Sequence, residues 1–148
     1  MNRENSQRIE QVLEHCVNFN FRRIARKLAA KYDEAFHELD LKTTQYSLMA
    51  AIHAAAGSPT LAELTDAMTL DRTTLLRNLE PLEKRGLIES TGPTRGQKRR
   101  IRLTSEGQAL LAAAFRKWRS VQKQTIASIG PETWQNLSRS LKEISSLI

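Results

Sequence analysis

Two groups of residues in this 148-residue sequence have the types and spacing to recognise a polyanion. The first is Asp71-Arg72-Thr73-Thr74-Leu75-Leu76-Arg77. Here an aspartate suited to capping a helix precedes short hydroxyl groups and two arginines within two helical turns. A helix entering a major groove end-on brings such hydroxyls and an arginine to base edges, while its amino-terminal amides face a phosphate. Arg77 suits bidentate contact with a guanine, and the methyl groups of Thr73 or Leu76 suit a thymine methyl. Arg72, Thr74 and Leu76 flank that face. The second group is Arg95, Lys98, Arg99, Arg100 and Arg102, which follow one another with no acid between them. Alone, such a run reads as a solvated strand. Beside the first group, it reads as a set of contacts to phosphate or to a narrow minor groove.

The charge distribution supports the pairing of these groups. The chain carries 23 Lys and Arg against 16 Asp and Glu, a formal +7, and residues 71–104 alone account for +5. Covalent chemistry is poorly supplied by comparison. The sequence lacks a nucleophile elbow, a glycine-rich phosphate loop, a zinc-binding helix of His and Glu, and a Ser and His pair with an orienting acid, so no enzyme is expected. His37 and His53 form no short-spaced metal motif with Cys16 or Glu38, so neither metal nor cofactor is expected. Cys16 is the one cysteine. It excludes an internal disulfide and suits a reducing compartment. Near the start, the uncharged stretch Val17 to Phe21 is far too short for a signal h-region, nothing approaches a membrane span, and a cytoplasmic chain with no membrane partner is expected.

The elements that must carry these residues follow from periodicity and punctuation. Residues 1–56 contain no Gly or Pro. Leu13, Val17, Phe21, Ile24, Leu28, Tyr32, Ala35 and Leu39 recur every three or four positions, predicting one helix of about 30 residues whose stripe packs on its own domain. A second stripe, Ile9, Val12, Cys16 and Phe19, lies to one side and calls for a helix of another subunit or a folded-back terminus. Thr43 and Thr44 are candidate caps for a helix through Tyr46, Met49, Ala50 and His53, stopped by Gly57-Ser58-Pro59. Thr60 and Glu63 form a capping box for a short helix to about Ala67. Asp71 caps the next helix, whose inward positions are Leu75, Leu79 and Leu82 and which ends at Gly86. Pro81 removes a backbone donor there, so a bend or slack turn near Arg77 is expected.

Leu87 to Thr91 and Arg99 to Leu103 then predict a hairpin turned by Gly92 and Pro93, with Ile101 and Leu103 facing one way. Thr104 and Ser105 open a last helical region through Leu111, Phe115, Trp118, Gln122, Ile126 and Ile129. Gly130 and Pro131 break it before a final stripe of Trp134, Leu137, Leu141, Ile144 and Ile148. These terminal helices are too apolar to serve the central unit alone, and a second copy of the chain is the simplest cover. The expected fold is mainly α with a small β-hairpin. It is a winged helix-turn-helix over about 44–104 with dimerisation helices at about 8–40 and 105–148, all within a single domain spanning 1–148.

With these elements in place, the sequence resembles the MarR family of bacterial transcription regulators, over about residues 8–148. The resemblance rests on Leu61-Ala62-Glu63-Leu64, Leu70-Asp71-Arg72-Thr73-Thr74-Leu75, Asn78-Leu79, Leu82-Glu83-Lys84-Arg85-Gly86-Leu87-Ile88 and Leu103-Thr104-Ser105-Glu106-Gly107, in that order. It implies a homodimer joined through terminal helices, with a recognition helix in each major groove of a palindromic double-stranded DNA operator and a wing in the adjacent minor groove. It also implies release by a small molecule or an oxidant. Many relatives carry Asp, any residue, then Arg in the wing, whereas the matching positions here are Arg95 and Gln97. The wing contacts are therefore assigned to Arg95, Lys98 and Arg99.

Three readings stay open at this stage. The first is a homodimeric repressor released by a small-molecule inducer, whose pocket the resemblance would place near Phe21, Arg22, Tyr46, Met49 and His53. These are equally good core residues. The second is a redox sensor acting through Cys16, near the position of the reactive cysteine in the hydroperoxide-sensing branch; a packing role competes with it. The third is a winged helix that binds protein and never reads bases.

Overall fold

The computed structural model describes residues 9, 11, 13–55, 58–91 and 99–148. Its elements run in the order α1 (Val17–Phe36), a 3-10 turn (His37–Leu39), α2 (Thr43–Ala54), α3 (Leu61–Met68), α4 (Arg72–Lys84), β1 (Ile88–Thr91), β2 (Arg100–Leu103), α5 (Ser105–Ile129) and α6 (Pro131–Leu147). Val12, Gly57 and the expected turn at Gly92 and Pro93 lie outside the described residues, as do Arg95 and Lys98.

The central lobe is built around leucines. Leu75, Leu79 and Leu82 line one side of α4 and are at most 1% exposed. They meet Leu48, Met49 and Ile52 from α2, Leu64 from α3, and Ile88 and Ile101 from the hairpin. Each fully buried side chain of this size contributes roughly 1.5–3 kcal/mol relative to exposure. The α3–α4 connection is the short turn expected, with Thr69 left-handed at φ +51°. A β-branched residue pays roughly 1–2 kcal/mol there. Two backbone bonds offset the strain, from Thr69 N to Asp66 O and from Leu70 N to Thr65 O.

Several expected caps are present atom for atom. Thr60 Oγ1 accepts from Glu63 N at 3.2 Å while Thr60 N donates to Glu63 Oε2 at 2.7 Å. Asp71 Oδ1 accepts from Thr74 N at 2.9 Å. At the far end of α4, Gly86 adopts φ +65°. Its amide donates to Glu83 O and the Leu87 amide to Leu82 O, the two bonds of a Schellman ending. The helix runs unbroken through Pro81. Strands β1 and β2 pair antiparallel, from Ile88 opposite Leu103 to Thr91 opposite Arg100. Ile101 N also donates to Pro59 O, and Thr60 bridges Arg100, so a vestigial third strand borders the hairpin.

Other expectations need correction. The first helix is not continuous over 30 residues. Positions 13–15 are helical, but Cys16 is extended at φ −68°, ψ 114° and caps a new helix, its Sγ accepting from Phe19 N at 3.4 Å. Asn20 Nδ2 donates to both Glu14 O and Cys16 O across this break. Nor does the whole stripe pack on its own chain. Leu28, Tyr32, Ala35 and Leu39 are half-buried, whereas Leu13, Val17, Phe21 and Ile24 are exposed by 45 to 70%. Periodicity marks an apolar side without marking which body covers it; α1 packs on α5, and Tyr32 in its carboxy-terminal half bonds Gln122 there.

The α2 helix is capped from Lys42, one residue before the expected threonines. A carboxylate distant in sequence explains the difference: Asp33 Oδ1 accepts from Thr43 N at 2.6 Å, and Gln45 Oε1 accepts from Lys42 N at 2.9 Å. Strand β1 begins at Ile88, because the Leu87 amide closes the α4 ending and its carbonyl accepts from Thr104 N.

Leu87 O also lies hard against the start of α5. A Cβ placed on Gly107 would lie 2.0 Å from that backbone oxygen. Thr104 tightens the same corner, with its hydroxyl donating to Gly86 O at 2.7 Å and accepting from Gly107 N at 3.0 Å. In an ordinary helix Ala is better than Gly by about 1 kcal/mol. Here Gly107→Ala is expected to destabilise the fold by about 1–3 kcal/mol through overpacking against backbone. Chemical denaturation checks this, and a variant as stable as the wild type would contradict the close approach.

Candidate nucleic-acid interface

The buried leucines of α4 turn its other side outward. Arg72, Thr73, Arg77, Glu80 and Lys84 are all exposed there, and Thr74 and Leu76 are half-buried at its edges. The acids of this segment are all engaged. Asp71 is spent on the cap, and the Thr74 hydroxyl donates to its second oxygen at 2.6 Å. Bonds from the Thr74 hydroxyl and amide hold the Asp71 carboxyl below its ordinary range. Glu80 pairs with Lys84 at 2.6 Å, and that ammonium holds the Glu80 carboxyl low. Glu83 pairs with Arg99 at 2.6 Å. Among the described residues, Arg72 and Arg77 have no acidic partner. The outward face therefore presents two uncommitted guanidinium groups and the Thr73 hydroxyl.

The hairpin differs from the sequence expectation in one respect. Five basic side chains are expected to face nucleic acid from it, but three have partners within the chain. Arg99 Nη2 donates to Glu83 and its Nε to Ser90 Oγ at 2.9 Å. Arg100 Nη1 donates to Ser58 O at 2.8 Å, and Arg102 Nε to Glu89 Oε1, its cross-strand neighbour, at 2.7 Å. Nothing in the sequence singles out Glu83 and Ser90. The Glu89 and Arg102 pair is legible from the hairpin register, since the two residues face each other across the ladder.

The residues named for a ligand pocket separate into three groups. Tyr46 and His53 line a cavity of about 540 Å³ together with Ala50, Gln108, Leu111, Ala112 and Phe115. Met49 is 0% exposed within the core and is not among the lining residues. Phe21 and Arg22 are exposed on α1 and are not among the lining residues. Burial pushes the Tyr46 phenol above its ordinary pKa, and its ring packs against Phe36 at 4.9 Å. The lining residues from α5 escape sequence reasoning because they are remote from α2 along the chain and share no motif with it. Cys16 is half-buried at the break before α1. Among the described residues, no group of His, Cys, Asp and Glu is arranged to hold a metal ion, and no helix is long and apolar enough to cross a membrane.

A helix pair joined by a short turn, followed directly by a two-stranded hairpin and flanked by long helices, defines a winged helix-turn-helix protein. Comparison with known proteins places it more closely. The model of the MarR family matches residues 39–100. The transcriptional regulator HosA of Escherichia coli O157:H7 is 35% identical over 98 residues, covering 65% of this chain and 72% of HosA. The chain belongs to the MarR family of transcriptional regulators. Among solved structures, the M. tuberculosis transcriptional regulator MosR is 33% identical, with TM-score 0.78 over 91% of this chain and 96% of that one. MosR in complex with DNA is 32% identical, with TM-score 0.75 over 90% and 98%. A mutant MarR from E. coli complexed with operator DNA shares the fold at TM-score 0.80 and 19% identity, over 90% of this chain and 96% of that one.

The cap at Asp71 carries a pH signature. Its depressed carboxyl contributes stability that is present above the ordinary aspartate range and is lost as pH falls through the lowered value. Asp71→Ala lacks that contribution at every pH. The gap in Tm between wild type and Asp71→Ala is thus expected to be full at neutral pH and to narrow below the ordinary aspartate range. Thermal melts at several pH values check this, and a gap that stays constant or widens on acidification would contradict it.

Proposed function

We propose that this chain is a sequence-specific, double-stranded DNA-binding regulator that works as a homodimeric repressor in the cytoplasm and is released by a small molecule. The observation that carries the reading is the outward face of α4, where each acid is engaged and Arg72 and Arg77 are not. A duplex groove is the surface that fits an exposed helix with a capped amino end, hydroxyls and uncommitted guanidinium groups. In this reading Arg77 reads a base edge, Arg72, Thr73, Thr74 and Leu76 position or flank it, and Arg95, Lys98 and Arg99 belong to the wing.

The relatives and the apolar surfaces support the remaining parts. MosR, similar over nearly its whole length, has been solved in complex with DNA. Exposed Leu13, Val17, Phe21 and Ile24 on one terminus and Leu137, Ile144 and Leu147 on the other form apolar surface that a second copy would bury. The domain plan is then one domain over 1–148, with dimerisation helices at about 8–40 and 105–148 around a DNA-binding lobe at about 44–104. The cavity beside Tyr46 and His53 is of a size that holds a small ligand. No catalytic role is assigned to any residue.

Fluorescence anisotropy with labelled DNA from upstream of the chain's own gene tests the reading. Wild type is expected to bind that DNA far more tightly than a scrambled duplex of the same length. Arg77→Ala should lose about 1–3 kcal/mol of discrimination at particular base pairs while keeping its non-specific binding. Equal affinity for native and scrambled DNA, or no binding at low salt, would overturn it in favour of a protein-binding winged helix.

A further inference from the structure

The chain lacks an acidic residue at position 95 and an arginine at 97, and its hairpin is tied to α4 through other side chains. Glu83 sits in the last turn of α4, Ser90 is the third residue of β1, and Arg99 immediately precedes β2. Their side chains close a ring of three hydrogen bonds. Arg99 Nη2 donates to Glu83 Oε1 at 2.6 Å, Arg99 Nε donates to Ser90 Oγ at 2.9 Å, and Ser90 Oγ donates to the same Glu83 oxygen at 2.7 Å. Arg99 lies beyond the last paired residues, Thr91 and Arg100. The ring therefore constrains the end of the hairpin that the leucine core does not reach.

The geometry points to Glu83 as a positioning residue for DNA binding, one that sets the angle between α4 and the hairpin through Arg99 and Ser90 without touching DNA. This rests on the DNA-binding reading above. Two features favour positioning over a purely structural role. Glu83 and Arg99 side chains are 34% and 39% exposed, and ion pairs of that exposure contribute little to fold stability. The strands are already held from Ile88, Ile101 and Leu103, which are buried in the core. What the ring adds is orientation between two elements that must meet one duplex together. It also explains how an acid is tolerated beside a polyanion, because its charge is neutralised by Arg99.

The expected sign is opposite to that of simple electrostatics. Removing a carboxylate from a DNA-facing surface should tighten binding by reducing repulsion. If Glu83 positions the hairpin, Glu83→Gln weakens binding to the chain's own upstream DNA by roughly three- to tenfold. Arg99→Gln weakens it similarly, and the double variant is no worse than either single one, because both break the same ring. Ser90→Ala, which removes only the bridging hydroxyl, weakens binding in the same direction by a smaller factor. Anisotropy titrations of the four variants and wild type, with circular dichroism melts alongside, give the result. Binding by Glu83→Gln that equals or exceeds wild type, or a loss in the double variant equal to the product of the two single losses, would overturn the positioning role while leaving DNA binding intact. Should Glu83→Gln fail to fold, the sign of the Ser90→Ala effect decides in its place. A wild type that does not bind the DNA would instead overturn the reading on which the proposal stands.

Discussion

The burial of Leu75, Leu79 and Leu82 on one side of a thirteen-residue helix is the constraint on which the remaining structure depends. A helix with three side chains locked in a core has no rotational freedom about its axis, so the residues opposite are fixed outward. Arg72, Thr73 and Arg77 are exposed as a consequence of where the leucines went. The caps at Asp71 and Gly86 then fix where the helix starts and stops, and the Schellman ending delivers the chain into β1 without a linker. Thr104, Gly107 and Leu87 bring α5 onto the same corner at backbone contact distance. Arg85 ties this lobe to the end of the first helical segment by donating to the Leu39 and Asp40 carbonyls. The amino- and carboxy-terminal segments are in turn tied to each other, where Lys117 pairs with Glu38 and the Tyr32 hydroxyl donates to Gln122.

The electrostatic character of the surface follows from pairing more than from net charge. Residues 71–104 carry a large positive excess, but four of its arginines are committed: Arg99, Arg100 and Arg102 of the hairpin to Glu83, Ser58 and Glu89, and Arg85 to the Leu39 and Asp40 carbonyls. The first three shape the hairpin, and the uncommitted ones on α4 are free to meet a partner. Partly exposed ion pairs such as Arg99 with Glu83 and Arg102 with Glu89 contribute about 1 kcal/mol or less each to stability. Their larger effect is to decide which charges remain available. A count of basic residues in a segment therefore overstates the charge offered to a phosphate backbone, and the distances between side chains correct it.

Much of this is legible in the sequence because it is written in local signals. The capping box at Thr60 and Glu63, the cap at Asp71, the Gly86 stop and the alternation at Ile101 and Leu103 each depend on residues within a few positions of one another. The α4 face is legible for the same reason, since helical spacing alone separates its leucines from Arg72, Thr73 and Arg77. What escapes depends on contacts between distant segments. Asp33 caps α2 from ten residues away, Arg99 turns toward Glu83 sixteen residues back, and the cavity lining joins α2 to α5. The break at Cys16 escapes for a different reason. Apolar spacing continues across it, and the backbone departs from the helix at a residue that no Gly or Pro marks.

The central claim is that the outward face of α4 meets base edges in a major groove. Dimethyl sulfate interference on the DNA upstream of the chain's own gene tests it most directly, because the methyl group is placed on guanine N7 in that groove. Methylation of a few particular guanines, related by the symmetry of the site, is expected to prevent the wild-type protein from binding. Binding that is indifferent to N7 methylation at every guanine, and is lost only when backbone phosphates are ethylated, would contradict it.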